Sequence, residues 1–171
     1  MKPKIRLATA YDIDAVFEIE KLCFDKLEQF DKNFFYLFLM RRNFEIFFVA
    51  TIEDEVQVSK LVGFIIAYLN KIGNYEIATV NVHPDFRNKR IGYELMVELE
   101  KAIKVIIHEL VKSKKIDENS QNIIIELMVH DKNDAAIALY EKLEYKRIVT
   151  IPNYYQKGKN GIRMIKSLKL K

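Results

Sequence analysis

The spacing of apolar residues changes period several times along the chain, and each change marks an element. Ile5 to Ala8 reads as a short strand, and Thr9 with Asp12 has the form of a helix start ahead of Ile13, Val16, Phe17 and Cys23, so a first helix is expected over Tyr11 to Cys23. Phe24 to Phe30 is irregular. Asn33 to Arg42 carries Phe34, Phe35, Leu37, Phe38 and Met40, too many apolar side chains to face water, and is expected as a second, well-buried short helix. Glu45 to Ile52 and Lys60 to Asn70 are rich in Ile, Val and Phe and flank Glu53, Asp54 and Glu55, the pattern of a hairpin; Tyr75 to Val82 continues the sheet.

From Ile91 to Lys112 apolar residues recur at helical spacing (Leu95, Met96, Leu99, Ala102, Ile103, Ile106, Leu110), with no glycine beyond Gly92 and no proline. One helix of about 30 Å follows, at ~1.5 Å per residue. Lys114 to Asn122 is charged and poor in apolar residues, a loop by composition. Ile123 to Val129 is expected as a buried strand, Asn133 to Leu143 as a helix with Ala136, Ile137, Leu139, Tyr140 and Leu143 on its apolar side, and Tyr145 to Ile151 with Arg163 to Leu170 as a closing hairpin. The order βααβββαβαββ gives an α/β fold, a mixed sheet with helices on both sides, and there is no internal repeat. Residues 1–171 suit one domain, which at this length buries roughly 70% of the surface its unfolded chain exposes.

Composition narrows the function classes. No apolar run reaches the ~18 residues of a membrane span, and Met-Lys-Pro-Lys-Ile-Arg is not followed by the apolar stretch of a secretion signal, so a cytoplasmic protein is expected. Cys23 is the only cysteine and the three histidines are scattered, which leaves no disulfide and no metal-ligand spacing. A net charge of +4 fits an acidic ligand or an ordinary solvated surface and does not single out nucleic acid.

The chemistry concentrates at Val80 to Met96, where an alternating strand runs through a basic turn into an amphipathic helix. Amides in a first helical turn lack intrahelical acceptors, and the helix dipole adds positive potential there, so Arg87 to Gly92 can hold a pyrophosphate, with Arg87, Lys89 and Arg90 adding charge.

The order of elements, the Val80 to Leu95 segment and the run from Asn133 through Tyr140 to Tyr145 together resemble the GNAT superfamily of acetyl-CoA-dependent N-acetyltransferases over nearly the full chain. Leu27-Glu28-Gln29-Phe30 ahead of an aromatic helix, Asn133 seven residues before Tyr140, and Asn153-Tyr154-Tyr155 in the last hairpin resemble the branch that acetylates protein N-termini, the bacterial ribosomal-protein and archaeal enzymes among them. The resemblance implies a GNAT fold with a splayed pair of central parallel strands, acetyl-CoA as cosubstrate, no metal, and protein or peptide N-termini, ribosomal ones included, as partners.

Residue roles come from the same resemblance. Arg87, Asn88, Lys89, Arg90, Ile91 and Gly92, with Tyr93 in the first helical turn, would bind the cofactor; Arg90 replaces the first glycine of the family loop, so its side chain should point outward. The backbone of Val80, Asn81 and Val82 would hold pantetheine, while the side chains of Val80 and Val82 also read as core. Asn133 would lie beside CoA or cap its helix. Tyr140 would protonate the leaving thiolate, or is core. Tyr154 and Tyr155 would grip the acceptor backbone or cover the sheet edge, and Phe30 belongs with Glu28 at the acceptor pocket.

The amine-side group stays open among Glu28, Glu76 and Tyr75; neighbours in a strand face opposite ways, so Tyr75 and Glu76 are not expected to act together. Where the bacterial branch has a glutamate this chain has Met128, with Glu126 two residues earlier on the same face. The implied reaction is direct attack of the amine in a ternary complex. A lysine or small polyamine-like acceptor is the first alternative. The second is a non-enzymatic acyl-CoA or nucleic-acid module using Arg87, Lys89, Arg90 and Lys112 to Lys115.

Overall fold

In the computed structural model, which describes residues 2–41, 45–53, 59–113 and 122–169, the elements run β1 (Lys4–Leu7), α1 (Ile13–Cys23), α2 (Lys32–Met40), β2 (Ile46–Glu53), β3 (Ser59–Leu69), β4 (Tyr75–Val82), α3 (Ile91–Lys112), β5 (Asn122–His130), α4 (Asp134–Lys142), β6 (Lys146–Gln156) and β7 (Lys159–Lys169). This is the expected order, and β4 and α3 begin and end where periodicity puts them. The acidic turn residues Asp54 and Glu55, and the charged stretch up to Gln121, lie outside the described residues. The strands form one seven-stranded mixed sheet in the order β1-β2-β3-β4-β5-β7-β6, in which β4 and β5 are parallel. No described helix is long and apolar enough to cross a membrane.

Two compact units divide the chain, residues 1–68 with 78–102 and residues 69–77 with 103–171. In the first, Ile13, Val16 and Ile19 of α1, Phe35 of α2, Phe47 and Val49 of β2, and Phe64 and Ile66 of β3 form a buried cluster. Phe35 is its hub, edge-on to Phe64 at 5.7 Å and to Phe34 at 5.5 Å between ring centroids. The start of α1 is fixed by charge: Arg6 donates twice to Asp12 at 2.7 Å, the Thr9 amide donates at 2.8 Å, and these bonds hold the Asp12 carboxyl below its ordinary range. Residues Ala10–Asp12 form a tight 3-10 turn, so α1 starts two residues later than expected.

The expectation of a well-buried α2 is corrected. Phe35 is its buried residue, whereas Leu37 is 52% and Met40 80% exposed. One helix lying on a sheet can bury only one stripe, and α2 has more apolar side chains than that stripe holds.

Burial along β4 also differs from expectation. Tyr75, Ile77, Thr79 and Asn81 are buried, while Glu76, Ala78, Val80 and Val82 are half-buried. Val80 and Val82 are therefore not the core face; the polar Thr79 and Asn81 are, because α1 supplies Glu20 as a buried partner for Asn81. Gly63 on β3 makes the same packing feasible: a Cβ there would lie 2.8 Å from the Asn81 carbonyl oxygen and 3.3 Å from both Ile91 and Leu95 of α3.

In the second unit the parallel ladder of β4 with β5 runs from Tyr75 opposite Ile125 to Ile77 opposite Leu127. Strand β5 pairs with β7 along its whole length, from Asn122 opposite Lys169 to His130 opposite Gly161. The β6–β7 ladder breaks after Ile151 opposite Gly161 and resumes at Gln156 opposite Lys159, so Pro152 to Tyr155 bulges out against Asn160.

Phe35→Ala should cost about 3–5 kcal/mol in denaturant unfolding, since the hub cannot collapse around a lost ring, while Leu37→Ala should stay within about 0.5 kcal/mol. Equal losses would mean that α2 buries both faces after all.

Candidate active site

The basic turn enters α3 as a strained, exposed loop. Arg87 to Arg90 are exposed, and Asn88 and Arg90 hold φ of 60° and 64°, left-handed values that favour glycine. Arg90 therefore occupies the glycine position of the loop in the glycine conformation, with its guanidinium over the Tyr93 ring at 6.0 Å, away from the loop backbone. The first α-helical bond runs from Glu94 to the Arg90 carbonyl; amides ahead of such a bond point out along the helix axis. A cavity of about 570 Å³ opens beside the loop, lined by Ile52, Phe86, Asn88, Lys89, Arg90 and Ile91.

Arg87 turns back towards β4. Its Nε donates to the Val82 carbonyl at 3.3 Å and its Nη2 to Cys23 Sγ at 3.4 Å, while the thiol donates to the same carbonyl at 3.5 Å. Burial pushes the Cys23 thiol up, against the opposing pull of Arg87. One turn earlier on α1, Glu20 is fully buried; its Oε1 accepts from the Phe30 amide at 3.0 Å and its Oε2 from Asn81 Nδ2 at 2.7 Å. Burial raises its carboxyl to about 7. Glu28 and Phe30 are half-buried, and Phe30 stacks on Phe34 at 3.8 Å.

In the second unit, Asn133 caps α4, its side chain accepting from the Ala136 amide at 3.2 Å. Tyr140 is buried beside Tyr145 at 6.0 Å, and burial raises its phenol above the ordinary range, so it stays protonated. Tyr75 is fully buried and Glu76 half-buried, on opposite faces of β4. The structure thus places the Tyr75 phenol in the core, where it does not meet an acceptor from solvent. Glu76 lies near Tyr154, whose phenol is raised first by burial and then by the Glu76 charge.

Glu126 is buried and spoken for: Arg163 donates to it through Nε at 2.9 Å and through Nη2, and Asn70 donates at 2.7 Å. Tyr154 and Tyr155 sit in the β6 bulge, edge to face at 4.9 Å, with Tyr155 stacked on His130 at 5.7 Å.

The Acetyltransferase (GNAT) family model matches residues 13–145. The chain belongs to the GNAT acetyltransferases. Over 178 aligned residues, covering 96% of this chain and 92% of the relative, it is 26% identical to an N-alpha-acetyltransferase of Saccharolobus solfataricus. Two solved structures share the fold: Ard1 from Thermoplasma volcanium, at a TM-score of 0.74, 22% identity and coverage of 98% and 99%, and the ribosomal-protein-S18-alanine N-acetyltransferase from Escherichia coli, at 0.72, 19%, and 98% and 95%. This GNAT enzyme is accordingly an acyltransferase that uses acetyl-CoA. The exposed cationic loop at the α3 entrance suits its diphosphate.

Several residues that shape this GNAT site escape sequence reading. A Cβ on Gly161 would lie 2.7 Å from Met128 Cε and 2.9 Å from Tyr154 Cβ, so this glycine lets the Tyr154 ring lie down on β7. Asn160 belongs to a clasp: its amide donates to Asp131 at 2.8 Å and its carbonyl accepts from the Asn153 amide at 3.1 Å, while Asn153, at φ 55°, accepts from the Gly158 amide at 2.6 Å. The concentration of Asn and Gly at 153–161 is the one signal that could have flagged it. For Glu20 the sequence holds no signal beyond a charge on the apolar stripe of α1.

Two outcomes follow from this geometry. Arg90→Gly should raise stability in urea unfolding by about 0.5–1 kcal/mol by removing a left-handed side chain, and a loss would show that the Arg90 side chain repays its strain. The second concerns Glu20, whose folded carboxyl is raised above its ordinary 4.5. Its contribution to stability is full below about pH 4.5 and is lost as pH rises through about 7, a change of about 3 kcal/mol. Wild-type stability at pH 8 relative to pH 5 should therefore fall by that order against Glu20→Gln; parallel pH curves would rule out the linkage.

Proposed function

We propose that this enzyme transfers acetyl to the N-terminal α-amine of proteins or peptides, ribosomal proteins among the candidate acceptors. The observation that carries the reading is the state of the carboxylates on β4, on β5 and in the α1–α2 loop. Glu126 is paired with Arg163 and accepts from Asn70, and Glu76 and Glu28 are half-buried groups. Such a site suits an amine that is easily deprotonated. At pH 7 an α-amine of pKa about 7.7 to 8.0 costs ~1 kcal/mol to neutralise, against ~4.6 for a lysine near 10.4. The name of the archaeal relative supports the same reading.

Acetyl-CoA supplies the activated acyl group: the amine nitrogen bonds to the carbonyl carbon as the C–S bond breaks, and the proton the nitrogen then sheds is balanced by one the departing thiolate takes up from solvent. The exposed loop Arg87 to Gly92, with Asn88, Lys89 and Tyr93, takes the diphosphate, and the backbone of Val80 to Val82 takes the pantetheine arm. Glu28 binds the ammonium form of the acceptor and passes its proton to solvent; Tyr154 and Tyr155, with Glu76 near Tyr154, hold the peptide backbone. Tyr140 serves the sulfur. Its phenol, raised by burial, is a poor acid for full transfer to a thiolate near 8.5 but a good hydrogen-bond donor to the charge that develops there.

An acceptor panel tests the reading. Peptides with a free α-amine should be acetylated, and α-blocked peptides carrying lysine should not; comparable rates on blocked peptides would transfer the assignment to ε-amines. In single-turnover assays Tyr140→Phe should slow the chemical step by about 10²-fold. An unchanged rate across pH would remove Tyr140 from the chemistry.

A further inference from the structure

Glu20 is a buried acid that the transfer chemistry does not touch. Its two oxygens face two donors on separate segments, the Phe30 amide at the end of the α1–α2 loop and Asn81 Nδ2 on β4. Asn81 Nδ2 also bonds Thr79 Oγ1 at 3.1 Å, so the acid is tied into the polar face of β4. The loop begins at the same residue, because the Phe24 amide donates to the Glu20 carbonyl at 3.1 Å. Within the loop, the Glu28 and Gln29 amides both donate to the Asp25 carbonyl, and Gln29 Nε2 donates to the Phe24 carbonyl at 2.7 Å. Glu28 therefore rides on a closed turn whose two ends are both fastened to Glu20.

We propose that Glu20 is a positioning residue that locks the acceptor loop, Phe24 to Phe30 with Glu28 at its turn, onto the Thr79 to Val82 stretch of β4. The inference rests on Glu28 as the acceptor-amine group. The carboxyl oxygens accept from both donors, whereas the amide of Glu20→Gln would turn its NH2 towards one of them. Among the described residues, the charged or titratable groups about it are Cys23 on the same helix and Arg87, which bonds the Cys23 sulfur; β4 contributes the neutral Thr79 and Asn81, and the loop a backbone amide. A buried charge with neutral partners costs stability, and an apolar residue of similar size would avoid that cost while releasing the loop.

The experiment uses the full chain and the Glu20→Gln variant. Hydrogen exchange of the segment 24–30, corrected for the intrinsic effect of pH, should be about tenfold faster at pH 8 than at pH 6 in the wild type, since ionising a buried acid near 7 favours the opened loop in which it is solvated, and fast without that pH dependence in the variant. At saturating acetyl-CoA the variant should raise the acceptor KM about tenfold, as expected for losing a hydrogen bond to a charged group, with acetyl-CoA affinity by calorimetry within about twofold. The α-amine's own ionisation, near 8, shapes kcat/KM in both proteins and cancels in their ratio.

Exchange that is slow and independent of pH in both proteins, or an unchanged acceptor KM, overturns the inference. If the variant does not fold, the wild-type exchange profile decides it. If the wild type acetylates no α-amine, the proposed function fails, and exchange still decides whether Glu20 holds the loop.

Discussion

Buried polar groups cost least when they complete one another, and one such set ties α1, the α1–α2 loop and β4 together in the first unit. Glu20, Asn81, Thr79 and the Phe30 amide each supply what another lacks. Removing one member leaves a buried donor or charge unmatched, at a cost of order 1–3 kcal/mol and more for the ion. Packing around Phe35 supplies the stability that tolerates such a set; it does not by itself dictate where the loop closes. The direction of β4 burial follows from the same partners, which is why two valines stay at half exposure while an asparagine goes inside.

The basic loop at the entrance of α3 shows a different compromise. Most loops of this form use glycine where φ turns positive, whereas here Asn88 and Arg90 adopt those angles. Asparagine tolerates the left-handed region through its short polar side chain; arginine does so at a strain cost and brings a cation to the rim of the loop. Arg87 does the opposite and turns inward, where it satisfies the Val82 carbonyl at the end of β4 together with the Cys23 thiol. Three basic residues within four positions thus do separate jobs: Arg87 closes a strand end, Lys89 covers Phe86 at 4.8 Å, and Arg90 sits over Tyr93.

Much of this was legible in the chain because the long elements carry their own period. β4 and α3 alternate or repeat cleanly enough that their ends could be placed from sequence, and the loop joining them announced itself by charge. Failures came where a partner distant in sequence decides. Glu20 and Asn81 are 61 residues apart, and nothing local to either says that they meet. The exposure of α2 depends on how many of its sides the fold can cover, and its composition does not carry that number. The β6 bulge arises because Asn153, Gly158, Asn160 and Asp131 complete one another, so each reads as a plain hairpin residue until all are seen together.

The acceptor side shows why positioning outweighs basicity in the proposed reaction. A base pays off in proportion to how hard its proton is to remove, and for an α-amine near neutral pH that is a small part of the barrier. What remains is to hold a neutral nitrogen against a carbonyl carbon, and well-oriented groups can supply about 7–11 kcal/mol in that way. The carboxylates here are arranged accordingly. Glu126 is used up in binding Arg163 and Asn70, which ties the β3–β4 turn to β5 and β7. Glu20 is used up in fastening a loop. Both acids serve geometry, so losing either would act on the precision of the encounter before it acted on any proton.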